Sequence, residues 1–270
     1  LERINSRALV TGAASGIGRA CATLLNQKGW YVALADIDAE GAARHADELG
    51  EHTFAVAADV ADRESVARMT TTIARRFGGQ LDLLINSAGV IYSGNFVDQS
   101  VDSILRILSV NAAGVALCTH AAFPLLQRSA QAGRKPTVVN LSSASAIHGI
   151  PGLAVYAATK FLVRGLTEAL AIEWAPHGIA VRDVMPLFVE TPMATIGCAD
   201  NPFHAAFGSN LSADAVAEQV YRAAHDGPLH RHVSWRVKAT GIAARLLPGG
   251  LIRHGLAVIG GYAQPPDRRG

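Results

Sequence analysis

The sequence predicts an α/β protein, a single domain built on a doubly wound parallel sheet. Short apolar runs rich in β-formers lie at 8–10 (ALV), 31–36 (YVALAD), 53–59 (TFAVAAD), 81–86 (LDLLIN), 137–142 (TVVNLS) and 179–185 (IAVRDVM). They alternate with longer segments of helical periodicity, which is the pattern of βαβ units. Right-handed crossovers then place helices on both faces of the sheet. Composition agrees: half of the 270 residues are hydrophobic, enough for a large core. The net charge of +2 gives no pull toward nucleic acid or acidic partners.

The first strand runs directly into TGAASGIG, which brings Gly12, Ser15, Gly16, Ile17 and Gly18 to the start of the next helix, RACATLLNQKG. A tight strand-to-helix turn without Cβ atoms lets backbone N–H groups and the helix N-terminus approach a pyrophosphate. Asp36 ends the second strand, where its carboxylate is placed to accept hydrogen bonds from the ribose hydroxyls of a dinucleotide. A 2′-phosphate there would meet that charge and be repelled, so the expected cofactor is NAD rather than NADP.

The stretch from Asn140 to Lys160, NLSSASAIHGIPGLAVYAATK, carries a Ser, a Tyr and a Lys at useful spacings. With Tyr156 at a helix start, Lys160 at i+4 lies on the same face one turn on. A free phenol titrates near pH 10 and is a poor base at neutral pH. A nearby ammonium stabilises the phenolate and turns Tyr156 into a usable proton acceptor. Ser143, at the end of an apolar run, is positioned to hydrogen-bond the substrate oxygen. The three suit interconversion of an alcohol and a carbonyl. His148 lies between them, either as a pocket residue or as a solvated loop histidine.

Together these motifs resemble the classical short-chain dehydrogenase/reductase family, with its Rossmann fold. In that family a Ser stands thirteen residues before the Tyr of Tyr-x-x-x-Lys, as Ser143 does here, and the glycines follow the G-x-x-x-G-x-G spacing of Gly12, Gly16 and Gly18. The resemblance implies further roles. Asp59 meets the adenine amino group beside Val60, although Asp59 also reads as the cap of the following helix. Asn86, Ala88 and Gly89 pass close to the cofactor, with Ser87 in place of the family's usual Asn. Asn111 is a fourth catalytic member that links Lys160 to solvent through water; on its own, it reads as a core amide bonded to backbone. Val189 and Thr191 hold the nicotinamide carboxamide, and Lys160 the nicotinamide ribose. The basic residues that NADP-preferring members carry near the phosphate are missing: Ser15 precedes the second glycine and Ile37 follows Asp36. Leu187 replaces the Gly of the family's Pro-Gly, so a different pocket wall is expected there. Homodimers or homotetramers are also implied.

The expected function is thus an NAD(H)-dependent oxidoreductase, a dehydrogenase/reductase interconverting a secondary alcohol and a ketone, with a tilt toward lipophilic substrates such as steroids or medium-chain hydroxy compounds. Two other classes stay open, a catalytically silent NAD-binding sensor or scaffold and a same-fold isomerase or dehydratase holding NAD tightly. The expected domain covers residues 6–237, with a substrate lid at about 190–212 containing Phe203 and Phe207, and a seventh strand at 231–237. Cys21, Cys118 and Cys198 are widely spaced and read as free thiols in the cytoplasm, and nothing at the start reads as a signal peptide. His225, His230 and His232 look like a solvated basic stretch, and no metal-ligand set is expected. The tail, 238–270, is apolar and basic but too interrupted to span a bilayer. It reads as a pocket wall or subunit contact, as an interfacial membrane anchor, or as a disordered extension.

Overall fold

The computed structural model describes residues 6–191, 193, 201–207 and 211–262. Seven parallel strands form the central sheet: β1 (Arg7–Thr11), β2 (Tyr31–Asp36), β3 (Thr53–Ala57), β4 (Leu83–Asn86), β5 (Thr137–Leu141), β6 (Ala180–Met185) and, at the edge, β9 (His230–His232). Their order is β3-β2-β1-β4-β5-β6-β9, so the chain reverses its winding between β1 and β4. A crevice opens at that switch point, beyond the carboxyl ends of the strands. A two-residue strand, β7 (Val189–Glu190), pairs in parallel with β8 (Leu211–Ser212) and ties together the two ends of the expected lid. About half of the lid, at 192, 194–200 and 208–210, lies outside the described residues.

Near-continuous apolar strands are what a sheet covered on both faces requires. On one face α1 (Gly16–Gln27), α2 (Ala39–Leu49) and α8 (Ala213–His225) pack with Trp30, Val32, Leu34, Leu83 and Val139. On the other, α3 (Arg63–Arg76) and α5 (Gly114–Gln131) bury Met69, Ile73, Leu125 and Leu126 against Leu9, Leu84 and Val138. Cys21 and Cys118 are buried in these layers, and burial pushes both thiols up, that of Cys118 to about 12. Cys198 lies outside the described residues.

The segment around Asn111 has two α-helical parts. α4 (Val101–Leu108) and α5 are joined by a π-turn over Ser109–Ala113, which inserts an extra residue where Asn111 turns inward. The combined run Val101–Gln131 is long and apolar enough to cross a membrane by length and composition alone. Here Ile107, Val110, Val115, Cys118, Ala122, Leu125 and Leu126 are buried within the protein.

The edge strand differs from expectation. It ends at His232, because Ser234 accepts a hydrogen bond from the N–H of Val237 and caps a helix, α9 (Trp235–Leu246). The boundary expected at Val237 therefore falls inside a helix. Pro248 then precedes α10 (Gly249–Ile259). Up to Ile259 the tail is thus two helices rather than a disordered extension, and residues 263–270 lie outside the described part. Two of the three histidines, His225 and His230, are not solvated as expected. His230 is half-buried and bonds Asp183 and Glu168, each at 2.9 Å, while His225 packs edge-on to Trp30 and beside Tyr221.

Candidate active site

The turn after β1 is fixed by the absence of side chains. Gly12 has φ of 70°, and a Cβ there would lie 2.7 Å from the Cα of Ala88. A Cβ on Gly18 would collide with the Gly12 carbonyl oxygen, so the helix start and the strand end approach as only glycine allows. Thr11, which the sequence reading passed over, ties the two central strands together. Its hydroxyl accepts from the N–H groups of Ser87 (3.1 Å) and Ala88 (3.2 Å). Asp36 accepts from the N–H of Ala14 (2.9 Å) and of Asp38 (2.9 Å), so the carboxylate at the end of β2 also holds the glycine loop in place.

Asp59 and Val60 follow β3. Asp59 accepts from the N–H of Ala61 (2.9 Å) and lies 3.5 Å from Arg106 of α4. The cap of α3 is Asp62, which accepts from Glu64 and Ser65, and not Asp59. Val60 is buried against Gly114 at the start of α5. Asn86 points into the core: its amide donates to Thr119 and to Asn140, both at 2.8 Å, and Asn140 donates to Thr167 at 2.9 Å. This buried ladder fixes β4 and β5 to the helices behind them.

The helix bearing the Tyr-Lys pair, α6, spans Ala154–Glu173, so Tyr156 sits in its first turn and Lys160 one turn further. The Nζ of Lys160 is 5.4 Å from the centre of the Tyr156 ring and donates to the carbonyl of Leu141 at 2.7 Å. Burial disfavours the ammonium and draws the Lys160 pKa down to about 8. Ser143 follows β5, where its hydroxyl accepts from the N–H of Ser145 (3.2 Å). Asn111 accepts from the N–H of Val90 and donates to its carbonyl, both at 2.8 Å, and lies 3.5 Å from Thr159. Its side chain is thus bonded to backbone, as its apolar surroundings suggested. The bond pins the segment after β4, which carries Gly89, onto the π-turn beside α6.

One cavity of about 490 Å³ connects these parts. Gly12, Ser15, Gly16, Ile17 and Gly18 line one end, Ser87 and Gly89 its side, and Ser143, Tyr156 and Lys160 its middle, with Val189 and Thr191 beside them. Asp36, Asp59, Val60, Asn86, Ala88 and Asn111 do not line it. The remaining wall is apolar and comes from Ile147, Ile150, Leu153, Phe203 of the short helix α7 (Pro202–Phe207) and the two tail helices. His148 also lines the cavity, half-buried rather than solvated, and its Nδ1 is 3.3 Å from the Gly149 carbonyl. Leu187 packs against Ala146, Met185 and Val237, filling the space a glycine would leave open. The tail thus forms a pocket wall, one of the roles expected for it, although nothing in an apolar helix marks which of its residues line the cavity.

Comparison with known proteins agrees with this geometry. Residues 6–199 match the family described as short chain dehydrogenase. Meso-2,3-butanediol dehydrogenase of Serratia marcescens is 34% identical over 190 residues, 70% of this chain and 73% of that protein. The crystal structure of 3-ketoacyl-(acyl-carrier-protein) reductase from Brucella melitensis complexed with NADH superposes with a TM-score of 0.79 at 32% identity, covering 85% of this chain and 97% of that one. A short chain dehydrogenase/reductase from Burkholderia phymatum in complex with NAD superposes with a TM-score of 0.81 at 26% identity, over 98% and 99% of the two chains. The chain belongs to the short-chain dehydrogenase family of oxidoreductases.

Proposed function

We propose that the protein is an NAD(H)-dependent dehydrogenase/reductase that interconverts a lipophilic secondary alcohol and its ketone. The observation that carries this is the meeting of Ser143, Tyr156 and Lys160 in one cavity, between a glycine-lined end and an apolar end. The glycine end fits a dinucleotide: side chains are excluded at Gly12 and Gly18, and Asp36 adjoins the loop. Gly12 to Gly18 with Ser15 and Ile17 would hold the pyrophosphate, Asp36 the ribose hydroxyls, and Asp59 with Val60 the adenine. Asn86, Ala88 and Gly89 would shape the path, with Val189 and Thr191 at the nicotinamide. When bound, the nicotinamide accepts or returns a hydride at the carbinol carbon.

In oxidation Ser143 holds the substrate oxygen and Tyr156 takes its proton. Lys160, close to the Tyr156 ring, stabilises the phenolate by its charge, and its bond to Leu141 keeps that charge in place. Asn111 supports the route by which the proton reaches water, through the π-turn it anchors. The ketone reduction runs the same proton in reverse. The apolar wall of tail helices favours an alcohol with a sizeable hydrocarbon part over a polyol. Exposed Leu105 and Leu108 on α4, with Phe161 and Ile172 on α6, support a homo-oligomer.

Replacing Tyr156 by Phe removes the proton acceptor and leaves the glycine loop untouched. The expected result is NAD binding at wild-type affinity by calorimetry and a fall in turnover of about 10²- to 10⁴-fold. Turnover retained in Tyr156→Phe would refute the mechanism. Wild-type protein that binds NAD but oxidises no alcohol would instead favour a sensor.

A further inference from the structure

Helix α9 is apolar on two opposite sides, and only one of them is covered. Val237 and Ala244 face inward and line the cavity. Trp235, Ala239, Ile242 and Leu246 recur at i, i+4, i+7 and i+11 on the other side. All four are exposed, Trp235 at 76% and Leu246 at 77%. A second apolar stripe left outside the core is a surface for a partner or for lipid. At the turn into α10 the covered and uncovered surfaces meet. Leu247 and Leu251 line the cavity and are also 48% and 61% exposed, so the chamber has an apolar rim facing outward.

Charge narrows what can cover this surface. From Gly227 to Pro266 the sequence contains no Asp or Glu, yet it contains Arg231, Arg236, Lys238, Arg245 and Arg253. Lys238 and Arg253 are exposed on the two helices. A second copy docking through the same face would set one cationic belt against another, since an isologous contact repeats each patch. An anionic bilayer satisfies both features, with acyl chains for the Trp-Ile-Leu stripe and headgroups for the Lys and Arg side chains.

We propose that α9 and α10 form a docking surface for an anionic lipid bilayer, setting the cavity rim at Leu247 and Leu251 against the membrane so that a membrane-dissolved substrate enters there. Docking stands on the tail alone; substrate entry rests on the function proposed above.

The test uses the full chain with vesicles of phosphatidylcholine, pure or mixed with phosphatidylserine. The chain cosediments with the anionic vesicles, and added salt weakens the association. Leu246→Glu and Lys238→Glu each weaken it by about tenfold or more. Vesicles with brominated acyl chains quench a tryptophan signal that is missing in Trp235→Phe. Leu246→Glu leaves oxidation of a short, water-soluble alcohol unchanged, which separates docking from catalysis. A chain that docks but oxidises nothing keeps the docking surface and refutes the catalytic reading. Wild-type protein that ignores anionic vesicles overturns the proposal. So does a Leu246→Glu that lowers the subunit number while vesicle binding stays the same, because the stripe is then a contact between copies.

Discussion

The glycine loop and the wall of tail helices face each other across one cavity and are held by opposite means. At the loop, backbone meets backbone: Gly12 and Gly18 leave no room for a Cβ, and Thr11 and Asp36 spend their side chains on main-chain N–H groups. At the wall, Val237, Leu247, Leu256 and Ile259 close the chamber by apolar bulk. Directional backbone contacts fix one ligand in one pose, whereas an apolar wall sorts ligands by size and hydrophobicity in small steps. The loop is therefore the half that tolerates no change, and the wall is the half where specificity can drift.

Gly18→Ala strikes the rigid half most severely. Its new Cβ meets the Gly12 carbonyl, and neither atom belongs to a side chain that can swing away. Overpacking of this kind destabilises by about 1–3 kcal/mol, and a displaced loop lowers NAD affinity by about a hundredfold or more. Calorimetry with NAD and a thermal melt check both; unchanged affinity would show that the loop can yield. At the wall, Ala244→Phe fills cavity space from α9. It should lower kcat/KM for a long-chain alcohol by about tenfold, roughly 1.4 kcal/mol, and leave both the NAD Kd and the rate with a short alcohol as they were. An equal loss with both alcohols would mean that α9 shapes the catalytic centre itself.

The smallest effect tests how the wall is anchored. His230 on β9 stands just before α9, and its bond to buried Asp183 raises its pKa above 6.5. Its contribution to stability is present below about pH 6.5 and is lost as pH rises through that raised value. Burial raises the Asp183 pKa above 3.8, so its ionisation also lowers stability as pH rises. The melting temperature should therefore fall on going from slightly acid to alkaline pH, by about 2–4 °C for each kcal/mol lost. In His230→Gln the part of that fall above pH 6.5 disappears. A melting temperature that rises over the same interval would contradict the pairing.

The same contrast explains what could be read from the sequence. The loop was legible because close approach demands glycine at fixed spacings, and Ser143, Tyr156 and Lys160 because proton transfer demands those groups near one another. Asn111 was visible as an amide in an apolar helix, but the π-turn that aims it inward has no residue signature. Thr11, Asn140 and Thr167 were hidden because a polar residue at a strand end or helix interior does not announce its partner. The seventh strand was drawn too long since VSWRV has β-forming residues, while Ser234 as a helix cap overrode them. The histidines misread as solvated because burial of His230 depends on Asp183 and Glu168, both distant in sequence.

The most direct measurement is the initial rate of NADH formation, with NADP in parallel, over a homologous series of secondary alcohols of growing chain length. The site geometry, with the Asp36 carboxylate at the end of β2 beside the glycine loop, predicts turnover with NAD well above that with NADP. It also predicts a kcat/KM that climbs by about fourfold per added methylene, from roughly 0.8 kcal/mol for each one buried, until the chamber is full. Rates that stay flat or fall with chain length, or a preference for NADP, would contradict it.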